Sequence, residues 1–211
     1  MAASAGWVDL SRPVRAGMPV YPGDPEFSAH PLPATGGEFC RVSSLSLGTH
    51  TGTHVDAPAH VVPDGPTLEE LPLALFAGPA VVLDVRGVAA VGPELLGPWT
   101  SDARIALLRT GWDEHAGAPD EFDHPHLTVA AAQFLRSVGV RTVGIDAASV
   151  DGPGTLAAHR VLLGDRADPG VVVENLRGLG NLPRRVEFAA FGWALVGGDG
   201  SPVRAVARPR A

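Results

Sequence analysis

Strand-like segments alternate with helix-like segments through the middle of this chain, and that order restricts the possible folds more than any other feature. The strand-like segments are aliphatic or β-branched runs that stop near glycines, which is typical of buried strands. The first helix-like segment repeats apolar residues at helical spacing, and the two segments end at Gly139 and Gly164. Such alternation predicts an α/β core with parallel pairing. The predicted strands are 79–85, 105–110, 141–146 and 170–173, and the predicted helices are 128–138 and 155–163.

Both ends of the chain predict further strands. Residues 42–47 alternate apolar and polar side chains within a first third that is rich in Pro, Gly and Thr. Near the other end, the glycines around Asp199 predict a hairpin turn between apolar stretches at 186–196 and 203–207. No internal repeat or low-complexity linker divides the chain. We therefore predict a single α/β domain over residues 1–211, with a mixed β-sheet and flanking helices.

The charge of the chain argues against nucleic acid as a partner. Its formal net charge is −7, whereas phosphate binding requires a basic surface. The one basic cluster, at 204–210, is predicted to be a solvated end. We see no secretory signal and no apolar run of about 18 residues, so no membrane partner is expected. The single cysteine, Cys40, cannot form an intrachain disulfide, and together these features predict a cytoplasmic protein.

The chain contains no lysine, since all 16 of its basic residues are arginines. A phosphate-binding loop that ends in Gly-Lys-Ser or Gly-Lys-Thr is therefore excluded, as is Schiff-base or pyridoxal-phosphate chemistry. No Gly-x-Ser-x-Gly sequence indicates a serine hydrolase, and no Gly-x-Gly-x-x-Gly sequence indicates a dinucleotide site. These exclusions favour chemistry that depends on a metal ion.

The densest group of functional side chains lies in the eleven residues from His50 to His60. They include three of the chain's eight histidines and one carboxylate, Asp56. Neutral imidazoles and a carboxylate are ligands that hydrolytic metal ions take, and the lack of cysteine differs from closed structural zinc sites. We interpret the run as an open metal site, against the alternative of hydrogen-bonded histidines in a polar loop.

The spacing within this run suits an extended or looped chain better than a helix. On a helix that turns about 100° per residue, Asp56 lies about 240° around from His50. Pro58 and three β-branched residues also oppose a helix. In an extended chain the four functional positions share one parity and face one side, and Gly52 lets the backbone bend towards an ion. Those positions are His50, His54, Asp56 and His60.

The pattern His-x-Gly-Thr-His-x-Asp-x-Pro-x-His at 50–60 resembles the signature of the metal-dependent cyclase-like amidohydrolase family. That family includes bacterial kynurenine formamidases, isatin hydrolases and polyketide cyclases. Other stretches are similar to the family as well, so the resemblance covers nearly the whole chain. They are Tyr-Pro-Gly-Asp-Pro at 21–25, Leu-Arg-Thr-Gly-Trp at 108–112, residues 144–146 and 149–151, His159, and Val-Glu-Asn-Leu at 173–176.

The roles of individual residues come from this resemblance and not from the spacing. The resemblance implies that His50, His54 and Asp56 bind a metal ion, with Zn²⁺ or Mn²⁺ as the expected cofactor. It implies that Asp56 bridges to a second ion where two are bound, and that His60 is the general acid/base. The second ion would be held by a helix residue and a strand-end carboxylate that the sequence alone does not distinguish from ordinary ones. They are His159 and Glu174.

The resemblance further implies a fold, an assembly and a reaction. Family members have a swivelling β/β/α domain and form homodimers or homotetramers. The expected reaction is hydrolysis of a small, aromatic amide by metal-activated water. N-formyl-L-kynurenine, which yields kynurenine and formate, is the first candidate substrate. Kynurenine formamidases of this type tend to have Trp before the Pro-Gly-Asp turn, whereas this chain has Tyr21, which is expected to contact the substrate.

The sequence leaves two alternative functions open. One is hydrolysis of a different cyclic amide or lactone, or a polyketide cyclase activity, within the same family. The other, from a different class, is a protein that binds a metal or ligand without catalysis. A protein of that second kind is expected to have lost the acid/base group, yet His60 is present. Substitution of His60 therefore distinguishes the two classes.

Overall fold

A computed structural model describes residues 6–33, 39–99 and 102–210. Both ends of the predicted domain at 1–211 lie outside these residues, and the single-domain assignment stays a prediction. The strands are β1 Val8–Asp9, β2 Ser28–Pro31, β3 Ser43–Ser46, β4 His54–Asp56, β5 Ala77–Asp84, β6 Ala90–Val91, β7 Ile105–Arg109, β8 His126–Leu127, β9 Thr142–Ile145, β10 Val171–Glu174, β11 Arg185–Ala189, β12 Gly200–Pro202 and β13 Val206–Pro209. The α-helices are α1 Val129–Ser137 and α2 Ala157–Leu163.

Nine of the described strands form one mixed sheet in the order β1-β13-β11-β5-β7-β9-β10-β4-β12. The central strands β5, β7, β9 and β10 are parallel to one another. The strands on either side of them, which come from the two ends of the chain, pair antiparallel. The predicted α/β class, with a parallel core and antiparallel additions, is confirmed. The four predicted core strands lie within two residues of their predicted bounds.

The sheet is covered on both faces. Leu107 and Leu108 are neighbours in β7 and both fully buried, but they belong to different apolar clusters because successive strand side chains point to opposite faces. Leu135 of α1 and Leu162 of α2 pack in the cluster that contains Leu108. Short turns between residues 68 and 76 contribute to the other cluster. Cover on both faces explains why the core strands are continuous apolar runs instead of alternating ones.

Both predicted helices are present. Helix α1 begins after Thr128, whose hydroxyl accepts a hydrogen bond of 3.2 Å from the backbone N–H of Ala131. Helix α2 begins at Ala157, two residues later than predicted. Neither helix of the described residues is long and apolar enough to cross a membrane.

The predicted C-terminal hairpin is confirmed in its strand pairing but is wrong in its turn. Strand β11 ends at Ala189, and the chain then crosses the sheet to form β12 beside β4. Strand β11 does pair antiparallel with β13, as predicted, but the turn at 197–200 leads into β12 and not directly into β13. The turn residues mark a chain reversal, but they do not determine which strands pair across it. As a result, this turn lies next to β4.

The arginine side chains of the basic segment near the C-terminus are exposed, as predicted, but the backbone of the segment is part of the sheet and not a free end. Residues 206–209 form β13, in which Ala207 is fully buried. Arg204 donates two hydrogen bonds of 2.7 Å to the carboxylate of Asp9, and the guanidinium of Arg208 lies 4.8 Å from the centre of the Trp7 ring. Arg204 therefore precedes this strand, Arg208 lies in it, and both contact the N-terminal segment.

Candidate metal centre

The run at 50–60 forms a turn, a short strand and a 3₁₀ helix in succession. His50 lies in the turn, His54 and Asp56 lie in β4, and His60 ends the 3₁₀ helix. The turn depends on Gly52, whose φ of +66° lies in the left-handed region. This agrees with the predicted extended or looped segment, although regular strand is limited to residues 54–56.

Asp56 is the centre of the group, because its two oxygens face different histidines. Strand β4 lies between β10 and β12, and Asp56 is only 1% exposed. Its Oδ1 atom is 2.7 Å from Nδ1 of His50 and 3.3 Å from Nε2 of His54. Its Oδ2 atom is 3.4 Å from Nε2 of His159. One carboxylate thus joins two histidines of the run to a histidine from a distant part of the chain.

Glu174 and His159 reach this centre from neighbouring elements. Glu174 ends β10 opposite His54, and its Oε2 atom lies 3.4 Å from Nε2 of His54. His159 lies in α2 and places its Nε2 atom 3.2 Å from Oε1 of Glu174. The structure therefore brings together the five side chains to which the resemblance assigned metal binding. They form two groups that share one member, His50 with His54 and Asp56, and Asp56 with His159 and Glu174.

Hydrogen bonds on the outer side of two rings fix the nitrogen that faces the centre. Nδ1 of His54 lies 2.8 Å from the carbonyl oxygen of Gly52, which can only accept, so Nδ1 donates and Nε2 points inward. Nδ1 of His159 lies 2.8 Å from the carboxylate of Asp151 in the same way. Asp151 also accepts from the backbone N–H groups of Ala158 and His159 at the start of α2. Histidines that bind metals are oriented by outer partners of this kind.

The electrostatics of the group favour a bound cation. Burial lowers the pKa of His54, but the charges of Asp56 and Glu174 outweigh it and raise that pKa to about 10. Two buried atoms, Oδ2 of Asp56 and Nε2 of His159, make no hydrogen bond within the described residues. Unpaired buried polar atoms are rare in folded proteins. Nitrogen and oxygen atoms that lack partners, beside two buried carboxylates, therefore fit a divalent ion.

His60 lies at the edge of this centre and is more accessible than the other members. Its side chain is 28% exposed, against 4% for His54. The centre of its ring lies 4.1 Å from that of His50 and 5.8 Å from that of His159. Burial lowers the pKa of His60, which favours a neutral ring that can accept a proton. This position suits a group that exchanges protons with a bound molecule.

A cavity of about 650 Å³ opens above the centre and provides the space for a bound small molecule. His50, His54, His60, His159 and Glu174 line its floor, and Tyr21 lines its wall. The rings of Tyr21 and Phe122 meet edge to face, with their centres 5.7 Å apart. The predicted substrate-contacting residue thus lies in the same cavity as the predicted metal ligands.

Asp199 is a member of the site that the sequence did not predict. Its Oδ2 atom lies 3.0 Å from Nε2 of His50 and 3.5 Å from Nδ1 of His60. In the sequence it is one residue of a glycine-rich turn, about 140 to 150 residues away from the two histidines. Only the unexpected route of the chain from β11 to β12 brings the turn beside β4. No local signal in the sequence could have indicated this contact.

The sequence matches a known family and its members. The profile described as "Putative cyclase" matches residues 8–152. A kynurenine formamidase of Bacillus mycoides (strain KBAB4) is 35% identical over 211 residues, which cover 96% of this chain and 97% of the relative. A kynurenine formamidase of Salinibacter ruber (strain DSM 13855 / M31) is 39% identical over 214 residues, which cover 95% of this chain and 96% of the relative.

Solved structures share the fold. Isatin hydrolase A from Labrenzia aggregata, bound to benzyl benzoate, has a TM-score of 0.83 and 26% identity, with 98% of this chain and 94% of that chain covered. A structure described as a potential metal-dependent hydrolase with cyclase activity has a TM-score of 0.81 and 28% identity, with 98% of each chain covered.

Proposed function

Because the chain belongs to this cyclase family, we propose that it is a metal-dependent amidohydrolase and that N-formyl-L-kynurenine is its first candidate substrate. The observation that carries the proposal is the convergence of three histidines and a second carboxylate, Glu174, on Asp56 beneath an accessible cavity. The similarity to kynurenine formamidases over nearly the whole chain supports a formamide as the bond that is cleaved.

We propose that the site holds two ions, one in each group of ligands, with Asp56 belonging to both. His50, His54 and Asp56 would hold the first ion, and Asp56, His159 and Glu174 would hold the second. Each oxygen of Asp56 faces a different set of histidines, which supports this division. Imidazole and carboxylate ligands without sulfur suit Zn²⁺ and Mn²⁺.

A bound ion would supply Lewis acidity, which polarises the amide carbonyl and makes water nucleophilic near neutral pH. His60 would accept a proton from the attacking water and donate it to the leaving nitrogen as the C–N bond breaks, giving formate and a free amine. Tyr21 and Phe122 would contact the aromatic part of the substrate on the cavity wall.

Removal of metal is expected to abolish hydrolysis reversibly. Protein purified without added metal should contain stoichiometric zinc or manganese by elemental analysis and should release kynurenine from N-formyl-L-kynurenine. Prolonged treatment with a chelator should eliminate this activity, and addition of Zn²⁺ or Mn²⁺ should restore it. A preparation without stoichiometric metal, or with hydrolysis that resists complete removal of metal, would contradict the proposal.

Isatin is the second candidate substrate, because isatin hydrolase A shares the fold over nearly the whole chain at 26% identity. It is also a small aromatic amide, so the same cavity and the same acid/base group would serve. Parallel assays with both compounds, compared by kcat/KM, decide between them.

Association into a homodimer or homotetramer and a cytoplasmic location stay predictions. Light scattering would test the first, and cell fractionation would test the second.

Replacement of Asp151 by asparagine is expected to weaken binding of the second ion by about 10–100-fold, the usual effect of losing an outer partner of a metal-bound histidine. Asp151 orients the His159 ring and accepts from the start of α2. Competition between the protein and a chromophoric chelator measures the affinity. Asp168→Asn is a suitable control, because Asp168 is exposed and binds Arg141 outside the cavity. Equal affinities of the Asp151→Asn variant and the wild type would contradict the role of Asp151.

A further inference from the structure

We propose that Asp199 is a positioning residue that fixes the rings of both His50 and His60. The inference rests on the proposed function, because it assigns His50 to the metal and His60 to proton transfer. It adds a residue to that site from the turn at 197–200, which neither the sequence pattern nor the family signature at 50–60 includes.

The first argument is that Asp199 completes a set of outer partners. Each histidine of the centre has one nitrogen that faces Asp56 and another that faces outward. The outward nitrogen of His54 binds the carbonyl of Gly52, and that of His159 binds Asp151. For His50 the inward nitrogen is Nδ1, and the outward Nε2 lies 3.0 Å from Asp199. Both ring nitrogens of His50 face carboxylates, which can only accept, so with an ion bound on the Nδ1 side Asp199 would hold the ring proton on Nε2.

The second argument is that the same oxygen of Asp199 faces His60. Oδ2 lies 3.5 Å from Nδ1 of His60, and the His50 and His60 rings are neighbours. A carboxylate on this side favours the His60 tautomer with its proton on Nδ1. The other nitrogen, Nε2, is then the one that can accept a proton from water. Asp199 would thus set the ligand nitrogen of one histidine and the basic nitrogen of the other.

The third argument is that the backbone holds Asp199 firmly in place. The carbonyl of Asp199 accepts a hydrogen bond of 2.8 Å from the N–H of Ala57, one residue after Asp56. The carbonyl of Gly198 accepts from the N–H of Leu68 at 2.9 Å, and the N–H of Gly197 donates to Glu69. A Cβ atom at position 200 would lie 2.7 Å from Cε1 of His50, so a glycine is required for this close approach. The turn is therefore packed directly against the ring that Asp199 would orient.

Two variants test the assignment, Asp199→Asn and Asp199→Ala. Zinc affinity, measured by competition with a chromophoric chelator, is expected to fall about 10–100-fold in both. At saturating zinc, kcat for N-formyl-L-kynurenine is expected to fall at least about 10-fold while KM changes less than about 3-fold. In zinc-loaded protein, long-range ¹H–¹⁵N spectra should show His60 with its proton on Nδ1 in the wild type, and a loss of that preference in the variants.

Asp84→Asn is the matched control. Asp84 is an ion-paired carboxylate of similar exposure, 49% against 41% for Asp199, and it does not line the cavity. It should bind zinc, turn over substrate and show the His60 tautomer as the wild type does. Wild-type zinc affinity in both Asp199 variants would overturn the assignment to His50, and an unchanged His60 tautomer would overturn the assignment to His60. A wild type that binds zinc but hydrolyses no formamide would instead refute the proposed function, and the zinc and tautomer measurements would still decide the role of Asp199.

Discussion

Replacement of His60 by alanine is expected to lower kcat by about 10²–10⁴-fold, the range that general acid–base groups contribute, with metal still bound. The ring lies in the cavity beside the centre, but it is outside the two ligand groups that share Asp56. Without it, no other histidine of the run is free to move a proton, since His50 and His54 face Asp56. Turnover would then depend on proton exchange with bulk water, whereas ion binding would lose no ligand.

The measurement pairs metal content with steady-state kinetics on one preparation. His30→Ala is the control, because His30 lies on the exposed strand β2 and not in the cavity. Loss of metal from the His60 variant would mean that His60 is a ligand, since His50, His60 and Asp199 lie close enough together to hold an ion. Full metal with unchanged turnover would remove His60 from the mechanism. Full metal in a wild type that turns over no amide would favour a binding protein.

The core of the fold was predictable because each of its signals is local. An aliphatic run such as 105–110 predicts a buried strand, and the spacing of apolar residues at 128–138 predicts a helix. Neither prediction needs information about other segments of the chain. The C-terminal region was not predictable in this way. Its turn at 197–200 is a strong local signal, but strand pairing depends on the free edge of β4, which only the folded sheet presents. The arginine side chains near the C-terminus are exposed as predicted, but the location of their segment inside the sheet was missed, since charged residues on a strand can alternate with small buried ones.

The site residues also differ in how far their positions could be predicted from local sequence. The four functional positions at 50–60 are close in sequence, so their spacing alone indicated a common centre. His159 and Glu174 lie more than 90 residues further along and entered only through the family resemblance; the structure places both beside Asp56. Asp199 belongs to no motif, and its contact with the site was not predicted. Contacts between distant segments depend on the order of strands β10, β4 and β12, and a single sequence does not determine that order.

Replacement of Asp56 by asparagine or alanine is expected to abolish binding of both ions and all hydrolysis. Asp56 is the one residue that the two ligand groups share, and its charge offsets that of each ion. In the wild type, zinc at about 1,000 times its Kd should stabilise the fold by about 4 kcal/mol. For a chain of this size, that corresponds to a rise in Tm of roughly 8–16 °C. The rise should disappear in both Asp56 variants.

Glu174→Ala provides the comparison that separates one ion from two, because Glu174 belongs to only one of the groups. Elemental analysis is expected to find two equivalents of metal in the wild type, one in the Glu174 variant and none in the Asp56 variants. Circular dichroism of the metal-free proteins establishes that each variant is folded, and Asp56→Asn keeps the shape of the side chain should Asp56→Ala unfold. Equal metal content in the Glu174 variant and the wild type would argue for a single ion on His50, His54 and Asp56. Retention of metal by Asp56→Asn at the wild-type level would refute Asp56 as the shared ligand, because no other carboxylate of the centre faces all three of His50, His54 and His159.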